Sequence, residues 1–233
     1  MALIALLGKG PMADQMTGLF SPFLRSRRIA AVRPLVAQAS VLDFGCGVGE
    51  LAGYVRPADY LGVDIDWGSI AEARRRYPRH AFQTLEEFES GESGTAFDVI
   101  SALALVEHLP NPVVWLASMR SRLGPAGRII LTTPHPSMRW SHELGARFRI
   151  FSREAAEEHQ DLLDRAALQS LATAAGLRMV RYRRFLCGCN QLAILQPATV
   201  GERGFEESAR GSWCEVAPVR NGPDLAPMES AHG

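Results

Sequence analysis

Val41-Leu42-Asp43-Phe44-Gly45-Cys46-Gly47-Val48-Gly49 decides the fold. A short apolar run ends in glycines at every second position, the pattern of a buried strand feeding a tight turn ahead of a helix. Glycine permits positive φ there and removes the Cβ that would collide with a ligand laid on the backbone. Working outward, Tyr60-Leu61-Gly62-Val63-Asp64 is a second buried strand, and Trp67 to Tyr77 is a helix stopped before Pro78. Ala81-Phe82-Gln83 is a short third strand and Phe97 to Leu103 a fourth. Asn111-Pro112 opens a helix, because Asn caps well and proline is tolerated where the first N–H has no partner. That helix is expected to run to Leu123 and close at Gly124, before a fifth strand at Arg128–Thr133. Strand–helix alternation with apolar, non-alternating strands predicts an α/β fold, a parallel sheet with helices on both faces.

The pattern changes after Pro134. Residues 134–151 are irregular, basic and aromatic. Asp164 caps a predicted helix through Ala175, ended by Gly176. Arg178–Leu186 and Asn190–Leu195 then read as a hairpin joined by Cys187-Gly188-Cys189, so at least one of its strands runs antiparallel. Upstream, residues 12–38 read as a helix with Phe20, Phe23, Leu24, Ile29, Val32 and Leu35 on its packing face and a solvated face bearing Arg25, Arg27, Arg28 and Arg33. The organisation expected is an N-terminal helical segment over residues 1–39, one catalytic domain over 40–197 with a lid at about 134–160, and a disordered or loosely attached tail over 198–233.

The 233 residues carry 25 Lys+Arg against 25 Asp+Glu, with only one lysine, Lys9. Zero net charge argues against nucleic acid as partner, since phosphate binding needs a surplus of cations. The balance is uneven, +3 over residues 1–197 (22 basic, 19 acidic) and −3 over 198–233 (3 basic, 6 acidic). No apolar run approaches the ~20 residues of a bilayer span, so no membrane insertion is expected. Four cysteines without framework spacing place the chain in a reducing cytoplasm by default.

The glycine turn separates two kinds of nucleotide ligand. Dinucleotide sites require Gly-x-Gly-x-x-Gly, but counting from Gly45 the third glycine is replaced by Glu50, whose carboxylate repels a pyrophosphate; counting from Gly47 it is replaced by Ala52. No Gly-Lys-Ser/Thr phosphate loop occurs. Asp43 before the turn, and Asp64 ending the second strand 19 residues after Gly45, suit a ligand with a ribose and positive charge but no phosphate.

Val41–Gly49, Tyr60–Asp66, Phe97–Pro112 and Leu123–Pro134 together resemble the successive motifs of class I S-adenosylmethionine-dependent methyltransferases, over roughly residues 40–136. Leu103-Ala104-Leu105-Val106-Glu107-His108-Leu109-Pro110 resembles the Leu-Glu-His stretch that follows the fourth strand in small-molecule members. A looser similarity, carried by segments at 142–146, 151–155 and 188–192, points to a subgroup of bacterial polysaccharide and glycoconjugate clusters. The resemblance implies a Rossmann-like, seven-stranded, mostly parallel sheet with an antiparallel last strand, and S-adenosyl-L-methionine as cofactor. It also implies that Gly45, Cys46 and Gly47 pass under the methionine part and that Asp43 orients its amino group. Asp64 would hold the ribose, Ile65 would flank the adenine, Thr84 and Leu85 would lie at the adenine edge, and Ala102 and Leu103 would close the cleft. The family commonly has an acidic residue where Thr84 stands.

Methyl transfer needs a base only where the acceptor must lose a proton, and His108 and His135, after the fourth and fifth strands, are the catalytic candidates. His142 reads as structural, Arg139, Arg147, Arg149 and Arg153 as a solvated face, and Trp140 and Phe148 as anchors of the lid or lining of an apolar acceptor pocket. Cys187-Gly188-Cys189 reads as a turn, since a zinc site needs wider spacing and a second pair. Glu86, Glu87, Glu89 and Glu92 read as solvated surface. The activity expected is methyl transfer to oxygen or nitrogen of a small molecule, a sugar or glycoconjugate intermediate or a secondary metabolite. The alternative is a non-catalytic cofactor-binding regulator or scaffold.

Overall fold

Seven strands hydrogen-bond into one sheet, β1 (Val41–Phe44), β2 (Tyr60–Asp64), β3 (Ala81–Thr84), β4 (Phe97–Leu103), β5 (Leu123–Pro134), β6 (Leu177–Phe185) and β7 (Asn190–Pro197). This is a computed structural model describing residues 21–91, 96–136 and 163–198. The chain divides into two units, Met1–Ala198 and Thr199–Gly233, and every described residue lies in the first. The strand order is β3-β2-β1-β4-β5-β7-β6. β1 to β5 pair in parallel, and β7 runs antiparallel to both β5 and β6. The order switches between β1 and β4, the place where an open α/β sheet leaves a crevice at its carboxyl edge.

Among the described residues, five α-helices cover the faces: α1 (Ser21–Val36), α2 (Trp67–Arg76), α3 (Leu85–Ser90), α4 (Pro112–Arg120) and α5 (Arg165–Ala174). Leu42, Phe44, Ile100, Ala102, Ile129 and Leu131 face Trp115, Leu116 and Met119 of α4 and Leu168 and Ala172 of α5. The residues between them, Val41, Val99 and Ile130, face Ile29, Val32 and Val36 of α1 and Ile70 and Ala73 of α2. Burial on both sides is why these strands show no polar alternation. The caps form as the sequence dictates. Asp66 accepts from Gly68 N and Ser69 N, Asn111 from Val114 N, and Asp164 from Ala167 N.

Several boundaries differ from the sequence expectation. The segment after the glycine turn is a five-residue 3-10 helix (Glu50–Tyr54), with a second at Pro57–Asp59, and no α-helix follows the turn. α4 ends at Arg120, and Leu123 pairs with Phe97, so β5 starts where a helix end was expected; the stretch between Leu123 and Arg128 lies beside an irregularity in the β4–β5 register. Phe23 is 53% exposed, outside the packing face of α1. The glutamate run contains α3, whose Glu87 closes a capping box with Thr84 and pairs with Arg74 at 2.7 Å, so that carboxylate is structural. The first 20 residues, most of the lid with His142, Arg139, Arg147, Arg149, Arg153, Trp140 and Phe148, and the tail from 199 lie outside the described residues.

Trp115 is 1% exposed and meets the edge of Phe44 at 5.4 Å between centroids. Trp115→Ala is expected to lose about 3–5 kcal/mol of stability. Trp115→Phe keeps most of the apolar contact and discards an indole N–H that has no partner among the described residues, so it loses far less. Urea denaturation of both variants checks the pair.

Candidate active site

The carboxyl ends of β1 and β2 are tied together by one side chain. Asp64 Oδ2 accepts from Gly47 N at 2.7 Å and Oδ1 from Asp66 N at 2.9 Å. The glycine turn is held further by Gly45 N and Cys46 N, which both donate to Val63 O. Gly47 sits at φ +52, and a Cβ built there meets nothing within 4 Å among the described residues, so this backbone is open on their side. Gly49, at φ +78, is a packing requirement, because a Cβ there would lie 2.7 Å from the Phe82 ring.

Asp43 is 3% exposed and its Oδ2 accepts from the Tyr60 hydroxyl at 2.9 Å. Burial pushes its pKa up to about 7, against the restraining Tyr60 hydroxyl, with Ser101 beside it and Asp64 adding repulsion. Ser101 pairs with Asp43 across β1 and β4, and its hydroxyl, directed at the carboxylate, helps to hold the pKa down. Burial also raises Asp64, opposed by the two backbone N–H bonds it accepts. The Cys46 thiol is pushed far up by burial and by both carboxylates, so it is an inert lining group. Two buried acids beside an open backbone form a cation-favouring end of the sheet.

Ile65 is 39% exposed beyond β2, Ala102 is fully buried in β4, and Leu103 packs partly buried on the α1 side. Thr84 and Leu85 offer little at the edge. The Thr84 hydroxyl and N–H are both spent in the α3 capping box, and the Leu85 side chain is core at 2% exposed. Glu50, the residue that breaks the dinucleotide motif, pairs with Arg25 of α1 at 3.4 Å. The short 3-10 helix it begins lacks the dipole of an α-helix N-terminus, so the anion site that dinucleotide enzymes use there is not built.

His108 lies in a 3-10 turn (Val106–His108) after β4, and His135 follows β5 with its N–H donated to Cys189 O at 2.9 Å. Both are therefore at the same end as the acids. Burial lowers the His135 pKa, helped by Arg184. Sequence reasoning passed over three residues that belong here. Arg28 of α1 donates from Nε to Asn190 Oδ1 at 2.9 Å, and Glu107 is near enough to feel the Arg28 charge. Arg28 looked like one of several surface arginines, and only the antiparallel β7 brings Asn190 to it. Among the described residues no three His, Cys, Asp or Glu side chains could hold a metal, and no helix is long and apolar enough to cross a membrane.

Residues 17–182 match a family profile described as a methyltransferase domain. The chain belongs to the class I S-adenosylmethionine-dependent methyltransferases. Its relatives include a trans-aconitate 2-methyltransferase of Methylobacterium nodulans, 29% identical over 189 residues, covering 77% of this chain and 69% of that one. A ubiquinone biosynthesis O-methyltransferase of Acinetobacter baumannii is 29% identical over 106 residues, covering 42% of this chain and 45% of its own length, so the match spans less than half of that relative. The magnesium protoporphyrin IX methyltransferase of Synechocystis with bound SAH has the same fold, with a TM-score of 0.55 at 16% identity, covering 84% of this chain and 93% of that one. S-adenosylmethionine is the cofactor of this methyltransferase domain, and the residues present fit it. The open backbone at Gly47 admits a close ligand, and the two buried acids complement a sulfonium and an ammonium.

The raised Asp43 pKa sets the sign of a pH effect in the ligand-free protein. Between its ordinary value of 3.8 and about 7 the unfolded chain has released a proton that the folded chain still holds, so this group's contribution to stability falls as pH rises. Asp43→Asn is expected to flatten the fall in stability across that window. Urea midpoints at pH 5 and pH 7, compared with wild type, check it.

Proposed function

We propose that this domain moves a methyl group from S-adenosylmethionine to an oxygen or nitrogen of a small-molecule acceptor, with a sugar or glycoconjugate intermediate or a secondary metabolite as the acceptor class. The observation that carries this is the Asp64 latch on the Gly45–Gly49 turn, a cradle of open backbone between two buried carboxyl groups. The names of the relatives, a carboxylic acid and a quinone precursor pathway among them, support a small acceptor.

The methyl donor supplies an activated carbon on a sulfonium, so the chain's task is alignment and charge complementarity. Asp64 spends one lone pair of each oxygen on Gly47 N and Asp66 N, leaving others for the two ribose hydroxyls. Gly45, Cys46 and Gly47 carry the methionine part, and Asp43, steadied by Tyr60, favours its ammonium. A bound cation beside Asp43 favours the ionised carboxylate and reverses the effect of burial. Ile65 flanks the adenine, and Ala102 and Leu103 wall the cleft from β4. His108 and His135 are placed to hydrogen-bond the acceptor.

Asp64→Ala removes the latch and the ribose acceptor together. Calorimetric titration with S-adenosylmethionine and its demethylated product is expected to show affinity weakened at least ~30-fold, the loss of about two hydrogen bonds to a charged group. Unchanged affinity rejects the ribose assignment, and no binding of either ligand to wild type rejects the function. Wild-type protein that binds the donor but transfers no methyl group to any small molecule of a cell extract is a regulator or scaffold.

A further inference from the structure

Glu107 is buried at the point where an ordinary structural carboxylate would be paired. Both its oxygens are shielded from solvent, and among the described residues no other residue hydrogen-bonds to either one. Glu72 on α2 shows what pairing looks like in this protein, with bonds to Arg75 at 2.8 Å and Arg76 at 2.6 Å. Arg28, whose charge acts on Glu107, directs its Nε to Asn190. Asn190 in turn is fully buried and its Nδ2 is unbonded among the described residues. Thr132, on the same sheet face as Ile130 and two register positions from Asn190, buries a further hydroxyl that is unbonded among the described residues. Unsatisfied buried polar atoms are rare and are disfavoured by about 1–3 kcal/mol each. Several gathered where β4, β5, β7 and α1 meet, at the carboxyl edge of the sheet beyond the cofactor turn, mark a place built for a polar guest.

The chemistry of the set selects the guest. Unpaired carboxylate oxygens take a hydrogen-bond donor, and the Asn190 amide gives a hydrogen to an acceptor oxygen. The only cation of the set, Arg28, is already opposed by Glu107, so an ionised carboxyl group brought here would meet a like charge. We propose that Glu107 is the general base for a hydroxyl acceptor, holding the O–H that is methylated, while Asn190 binds a second oxygen of the same molecule and Arg28 keeps the carboxylate ionised. This rests on the methyl-transfer function above and narrows it from oxygen or nitrogen to a hydroxyl oxygen. The hydroxyl proton passes to a Glu107 oxygen as the oxygen lone pair forms the bond to the methyl carbon. The carbon–sulfur bond breaks with its electron pair left on sulfur, which becomes a neutral thioether, and Glu107 then releases the proton to water.

Among the described residues the charge that acts on Glu107 is Arg28 from α1, which itself feels Arg25 of the same helix, the partner of Glu50; His108 is the titratable neighbour in its own turn. Burial raises Glu107 to about 7, opposed first by its own backbone N–H and then by Arg28. Rate should therefore fall on the acid side as the base is protonated.

Wild type, Glu107→Gln, Glu107→Asp and Arg28→Met are incubated with methyl-labelled S-adenosylmethionine and the small-molecule fraction of a bacterial lysate. The bond type of the labelled product is read by NMR, and donor binding by calorimetry. The expected result is a methyl ether. Glu107→Gln should lose at least ~100-fold in kcat, with donor affinity within about two-fold of wild type and an unchanged melting profile. Glu107→Asp should recover part of the rate, and Arg28→Met should move the acid limb to higher pH. A methyl ester or N-methyl product overturns the proposal, as does a Glu107→Gln variant that keeps a third or more of the wild-type rate. Failure of wild type to label any product overturns the methyl-transfer function itself and this proposal with it.

Discussion

Everything at the functional end of this molecule depends on one carboxylate bridging two segments. Asp64, at the tip of β2, binds Gly47 N of the neighbouring turn and Asp66 N of its own. Parallel strands cannot be joined by a tight turn, so nothing in the ladder itself fixes the loop after β1 to the loop after β2. Asp64 does so, and the adjacent bonds from Gly45 N and Cys46 N to Val63 O complete the tie. Its burial in that position disfavours its own charge, which makes the site receptive to a cation and leaves the ligand-free protein with an uncomfortable pair of acids.

Two buried layers hold this arrangement in place. Because β1 and β4 are covered on both faces, every apolar residue of β1 and all but Leu103 of β4 are buried, and the strand tips inherit that rigidity. α1 belongs to the same scheme. It packs with Ile29, Val32 and Val36 and then reaches over the carboxyl edge with Arg25 to Glu50 and Arg28 to Asn190. One helix thereby reaches the segment after the glycine turn with Arg25 and the first residue of β7 with Arg28.

The parts legible in the sequence were those set by local chemistry. Glycine spacing, the carboxylates at strand ends, the capping residues Asn111 and Asp164, and the apolar runs each point to their structure without knowledge of what lies nearby. Boundaries failed where packing overrode local preference. Leu123 and Gly124 look like a helix end, but the sheet recruits them into β5. The turn after Gly49 looks like a helix start, but only a 3-10 segment forms. At the site, Glu107 and Asn190 were invisible as partners because 83 residues separate them in the chain and only the insertion of β7 between β5 and β6 brings the two to the same guanidinium. Arg28 is further still, 162 residues from its bonding partner.

The position of β7 also separates order in the chain from order in the sheet. It is the last strand among the described residues but not the last in the sheet, since it fills the gap between β5 and the edge strand β6. In a growing chain β1 to β4, Asp64 and the glycine turn have all been made well before residue 190. The strand that carries Asn190 is therefore the last part of the described sheet to become available, and Arg28 waits for a bonding partner made 162 residues later.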